Sequence, residues 1–217
     1  MSSHARVRLS PIEAVVFDVG GVLLDWNPRH LYRKLIADEA AMEWFLEEVC
    51  SPAWHAPHDR GLSTAASCGE LASQYPEYSE LIWAWSRRSE EMIGGVDTGT
   101  VEVLRAVKEN GLPCFALTNM EAETYPLRLR RYAFLRWFDG TVVSGREGVA
   151  KPDPAIFTRL LDRFGLMART TLMIDDTEEN LTAARKLGMQ TVQFRSSREL
   201  ETQLESAGLG QSLAAHK

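Results

Sequence analysis

Cysteine is scarce in this chain. Cys50, Cys68 and Cys114 are its three thiols in 217 residues, an odd number with no CxxC pair and no metal-type spacing. That pattern excludes a disulfide framework and gives no indication of zinc, and it predicts reduced, mostly buried thiols in a cytoplasmic protein. Long apolar runs are also missing. The segment from Met1 to Pro11 carries His4, Arg6 and Arg8 but no apolar stretch before Ile12, and nothing later approaches the length of a bilayer span. Both absences argue against secretion and membrane insertion. Positive charge is in deficit, with 24 Lys and Arg against 30 Asp and Glu for a net charge of -6. This excludes a general nucleic-acid binder while leaving room for a local cation that captures a small anionic metabolite. Repeats and low-complexity tracts are lacking, and the Gly-, Ser- and Ala-rich residues after Gly208 are expected to form a frayed tail.

Apolar material, by contrast, is ample. At 45% hydrophobic residues the chain can bury a substantial core, as one domain or as a core with a smaller insert. Ala14 to Val19, Pro113 to Thr118, Gly140 to Ser144, Thr171 to Asp175 and Gln190 to Phe194 read as short strands, too brief and too β-rich for helices. Asp153-Pro154 followed by Ile156, Phe157, Leu160, Leu161 and Phe164, then Gly165, has the order N-cap, first-turn proline, apolar face and stop of a helix. Val101, Leu104 and Val107 before Gly111 and Pro113 predict a second helix, and Leu181, Ala184 and Leu187 before Gly188 a third. Strands alternating with helices imply an α/β fold, a Rossmann-like parallel sheet with helices on both faces and right-handed crossovers.

The stretch from Asn27 to Gly95 breaks the alternation. It offers helical patterns, Met42, Phe45, Leu46 and Val49, then Tyr78, Leu81, Ile82, Trp85 and Met92, without a convincing strand. It therefore reads as a helical insert, with a core made of 1–26 and 96–217. Trp44, Trp54, Trp83 and Trp85 are expected to pack between its helices.

Chemistry gathers at the predicted strand ends, where parallel α/β sheets bind ligands. The first strand ends in Asp18 before Gly20-Gly21, the second in Thr118-Asn119 and the fourth in Asp175-Asp176, while Lys151 precedes the Asp153 helix. Each has an ordinary explanation alone: a turn aspartate, a surface lysine, an acidic pair at a helix N-terminus. Together they would place three carboxylates side by side, and two at about 5 Å repel by roughly 3 kcal/mol at an effective dielectric of 20. A cation is required. Hard oxygen ligands point to Mg2+, with Lys151 and the Thr118 hydroxyl available to a phosphoryl group.

Asp18-x-Gly-Gly-Val-Leu, Leu117-Thr118-Asn119, Gly148-Val-Ala-Lys151-Pro-Asp-Pro and Met173-Ile-Asp175-Asp176-Thr-Glu-Glu-Asn180 resemble, in order and spacing, the four motifs of the haloacid dehalogenase (HAD) superfamily. Residues 27–95 occupy the position of that family's first-class α-helical cap. The resemblance, to the sugar-phosphate phosphatase branch, implies a hydrolase of small phosphorylated metabolites in which Asp18 attacks phosphorus to give an aspartyl-phosphate. Thr118 and Lys151 would assist as catalytic groups, and Thr118, Asn119, Gly21 and Lys151 would contact the phosphoryl group. Asp18, the Gly20 carbonyl, Asp175 and Asp176 would hold Mg2+.

One position departs from the family. Most of its phosphatases carry a second aspartate two residues after the nucleophile, as general acid and base; here that position is Gly20. The loss disfavours phosphomutase chemistry and predicts substrates with good leaving groups, such as sugar 1-phosphates, acyl phosphates or aryl phosphates. Asp25 and the insert segment Trp54-His55-Ala-Pro-His58-Asp59-Arg60-Gly61 are the sources of a replacement acid the sequence offers, the histidines being expected at the surface. Two other functions fit the family: a metal-independent 2-haloacid dehalogenase, opposed by Asp175-Asp176, and a slow binding or regulatory protein, favoured by Gly20 alone.

Overall fold

The computed structural model describes residues 11–209, so the N-terminal His4, Arg6 and Arg8 and the tail after Leu209 lie outside the described residues. In chain order its strands are β1 (Ala14–Phe17), β2 (Leu24–Trp26), β3 (Ile93–Val96), β4 (Cys114–Thr118), β5 (Gly140–Val143), β6 (Thr171–Asp175) and β7 (Gln190–Gln193). Every residue of β1 is buried, as an apolar run covered on both faces requires. It lies at the centre of a five-stranded sheet of order β5-β4-β1-β6-β7, with all pairings parallel.

The pleat sorts this run into two layers. Val15 and Phe17 of β1 join Cys114, Ala116, Leu172 and Ile174 under the helices Thr98–Glu109 and Ser197–Ser206. Ala14 and Val16 join Phe115, Leu117 and Met173 under Pro154–Phe164 and Glu178–Lys186. A one-residue slip in register would exchange these layers, so burial on both faces fixes the strand ends that carry the site. The Pro154–Phe164 helix follows its sequence signals closely: Asp153 accepts from the Ala155 N–H at 2.9 Å, and Gly165 ends the helix at φ 65°. Asp18, Val19, Pro113, Ser144 and Phe194 lie just outside the strands expected to include them.

Two elements went unforeseen. β2 and β3 pair antiparallel, Leu24 opposite Val96 and Trp26 opposite Ile93, and form the stem through which 27–92 leaves and re-enters the sheet core. They are short, and Gly94-Gly95 gives β3 little strand character. Inside the insert, the helix Glu39–Trp44 continues as a π-turn, Phe45–Val49. Helices Thr64–Gln74 and Ser79–Arg87 pack on it around Leu31, Tyr32, Met42, Phe45, Ile82 and Trp85, a third cluster separate from the two sheet layers. Met92 follows Ser79–Arg87 on a separate 3-10 turn. Trp44, expected inside, is 46% exposed; Trp54 packs edge-on against Trp85. The three thiols are free and buried. No helix among the described residues is long and apolar enough to cross a membrane.

Candidate active site

Asp18 follows β1 at the centre of the sheet, where the chain has strands to place on either side. Its Oδ1 accepts the Val19 N–H at 2.7 Å and lies 2.9 Å from the Lys151 Nζ. Lys151 is buried, and it reaches Asp175 Oδ2 at 2.7 Å as well. Burial pushes the Asp18 carboxyl up to about 7, against the pull of Lys151 and with help from Asp175. Burial also opposes the Lys151 charge, but Asp18 and Asp175 outweigh it and hold the ammonium above its ordinary pKa. The lysine is therefore a fixed cation between two carboxylates.

Asn119 fixes that cation from behind. Its Oδ1 accepts the Lys151 N–H at 2.8 Å and its Nδ2 donates to the Lys151 carbonyl at 2.9 Å. The side chain expected at the phosphoryl group is thus committed to the lysine's backbone, a long-range pairing that sequence spacing does not reveal. Thr118, fully buried at the end of β4, has a hydroxyl oxygen without a partner. Such an orphan costs about 1–3 kcal/mol unless something binds it.

Asp175 is held from three directions: Oδ2 by Lys151, and Oδ1 by the Thr177 N–H and by Asn180 Nδ2, each at 2.9 Å. Asn180, which ends the fourth motif, thus anchors the first of its two aspartates. Asp176 is more exposed, its carboxyl pulled up by burial and by Asp175. One oxygen each of Asp18, Asp175 and Asp176 lies within 4.8 Å of the others. Three carboxylates against one ammonium leave an excess of negative charge, and the all-oxygen donor set suits Mg2+.

The glycines shape this site in different ways. Gly21, at φ 75°, lies so close to Asp176 that a Cβ would collide with its carboxylate. Gly20 bridges to Leu24 through the Leu24 N–H to Val19 O bond and the Gly21 N–H to Leu24 O bond, neither of which uses its own carbonyl. A Cβ at Gly20 meets nothing nearer than Trp26 Cβ at 3.9 Å.

Above Asp18 opens a cavity of about 330 Å³, lined on the core side by Lys151 and Asp176 and on the insert side by His55, Asp59 and Trp85. Burial pushes the Asp59 carboxyl up to about 7, with Glu121 adding to it and Lys151 opposing. His58, expected at the surface, is fully buried, because the turn His58–Arg60 packs Trp54 edge-on against its ring. His55 is driven down to about 4, by burial first and His58 second. Asp25 points elsewhere, to His30 at 2.8 Å. Arg128, buried on Tyr125–Arg131 and unnoticed in the sequence, lines the cavity while it ion-pairs with Glu90 and donates to the Ser89 carbonyl at 3.2 Å.

Residues 12–188 match the haloacid dehalogenase-like hydrolase family. The chain belongs to that family. This HAD-like hydrolase is 29% identical over 181 residues to a sesquiterpene phosphatase of Aspergillus oryzae, covering 82% of the chain and 87% of the relative. It is 24% identical over 183 residues to a phosphorylated carbohydrates phosphatase of Thermotoga maritima, covering 83% and 84%. A HAD family enzyme of Bacteroides thetaiotaomicron, solved as its magnesium complex, superimposes with a TM-score of 0.67 at 18% identity over 86% of the chain and 95% of that structure. At that identity the HAD-like hydrolase shares a fold with it.

Proposed function

We propose that this chain is a Mg2+-dependent phosphatase of small phosphorylated metabolites that works through an aspartyl-phosphate on Asp18. The Thr118 hydroxyl carries the reading: it is buried, unpartnered and one register step beyond the Asp18 strand end, where a phosphoryl oxygen would complete it. The two phosphatase relatives support it, one of which acts on phosphorylated carbohydrates.

In the first step an Asp18 oxygen attacks phosphorus as the bond to the leaving oxygen breaks; in the second, water attacks the aspartyl-phosphate and releases phosphate, restoring Asp18. Lys151 holds its charge against the carboxylates and the phosphoryl oxygens, positioned by Asn119 and Asp175. Mg2+, held by Asp18, the Gly20 carbonyl, Asp175 and Asp176, would neutralise charge and orient the phosphoryl group. The helical insert, 27–95, is proposed to act as the cap that closes over this site and selects the substrate.

Gly20 supplies no acid to the leaving oxygen, and such help is typically worth roughly 10²–10⁴ in rate. Substrates with good leaving groups, sugar 1-phosphates among them, therefore suit the site best. The test is rate against leaving-group pKa. A steep dependence is expected, and Gly20→Asp, for which there is room, should speed poor leaving groups most. A flat dependence in wild type would overturn this preference. Asp59 supports a second reading because it lines the same cavity from the insert. If it protonates the leaving oxygen, Asp59→Asn steepens the dependence; an unchanged slope removes it.

A further inference from the structure

Beside the carboxylate cluster a second set of ligand-type side chains converges. His55, at the end of the helix Pro52–His55, and His58 come from the insert; Glu121 comes from the loop after β4. One donor atom of each lies within 4.8 Å of the other two. His58 has no exposed surface, and neither of its ring nitrogens has a partner. Buried polar atoms left unmet are destabilising, and a ligand bound at one of these nitrogens relieves that penalty there. The Trp54 ring, edge-on at 4.6 Å, does not satisfy both nitrogens.

The surroundings hold the three side chains in register. His55 stacks on Trp26 at 5.4 Å and packs against Trp85 at 5.1 Å. The Glu121 loop is tied down where the Met120 N–H donates to Ser144 Oγ at 2.9 Å and its carbonyl accepts the Gly145 N–H at 3.1 Å. The turn carrying His58 ends at Gly61, where a Cβ would lie 2.7 Å from the Gly145 carbonyl, so this turn sits directly on the short helix Ser144–Glu147 that holds the Glu121 loop.

We propose that His55, His58 and Glu121 form a site for one Zn2+-class ion that bridges the helical insert and the sheet core. Two imidazoles and a carboxylate suit Zn2+ and its late first-row neighbours and are a poor set for Mg2+. Tetrahedral bonds of about 2.0–2.1 Å put donor atoms about 3.3 Å apart, within reach of small side-chain rotations from the present spacing. His55 and Glu121 also line the cavity, which leaves the fourth position open to water. Because two ligands ride on the insert and one on the core, the ion would tie the insert down over Asp18. The site is independent of the Mg2+ cluster and of the phosphatase reading.

The test is Zn2+ binding to the full chain in excess Mg2+, by equilibrium dialysis with metal analysis, with Co2+ as an absorption probe. One ion per chain is expected, with Co2+ bands of a four-coordinate nitrogen and oxygen site. Affinity should fall at least tenfold in Glu121→Gln and in His55→Asn, with folding checked by circular dichroism, and hold in Asp176→Asn. Glu121 is only half-buried, so its variant keeps the test open if a histidine variant misfolds. No uptake, uptake that survives both substitutions, or uptake lost in Asp176→Asn would each overturn the proposal.

Discussion

Removing the Lys151 ammonium leaves Asp18 and Asp175 buried against each other without a cation, and breaking such a buried pair costs about 3–5 kcal/mol. Lys151→Met should lose that much in urea titrations without Mg2+ and regain part of it when Mg2+ is added. Asn119 holds the Lys151 backbone with both ends of its amide while it lines the cavity. Asn119→Ala deletes two hydrogen bonds of about 1 kcal/mol each, so kcat should fall about tenfold or more with KM little changed, and Asn119→Asp, which keeps the acceptor, should lie between. Gly21→Ala adds a Cβ at φ 75° against the Asp176 carboxylate, which should raise the Mg2+ concentration for half-maximal activity several-fold. At this scale the sequence shows which residues the fold gathers better than what each of them contacts. Asp18, Lys151, Asp175 and Asp176 were legible because motif order names them. The Asn119 clamp on Lys151 and the burial of His58 depend on contacts between distant segments, to which local patterns are blind.

Elements were legible where a local signal and a burial requirement agreed. The β1 run is apolar at every position because both faces are covered, and the Pro154–Phe164 helix has its cap, proline and glycine stop in sequence order. Asp153→Ala removes that cap, worth about 1 kcal/mol, and should lower Tm by about 2–4 °C, read by calorimetry, with the Lys151 segment following it. The π-turn at Phe45–Val49 and the β2–β3 stem escaped notice for the opposite reason. The π-turn changes the helical period only locally, and β3 pairs at Ile93 and Val96 on either side of Gly94-Gly95, where Gly94 allows the close approach of Asp25 and His30 and gives no strand signal.

Over the whole molecule, the cavity takes its walls from both the insert and the sheet core. Arg128 spans the seam, pairing with Glu90 and the Ser89 carbonyl. Arg128→Gln should raise KM and speed hydrogen exchange in 27–92 while exchange in β1, β4 and β6 stays unchanged; equal effects on both would make Arg128 a general stabiliser instead. The central claim remains that Asp18 carries a phosphoryl group in a Mg2+-dependent reaction. Hydrolysis of an aryl phosphate with and without Mg2+, by wild type and by Asp18→Asn, tests it most directly. Phosphate release that needs Mg2+ and vanishes in Asp18→Asn is the predicted result. Release that survives Asp18→Asn, or no release from a broad phosphate panel alongside halide release from a 2-haloacid, would contradict it.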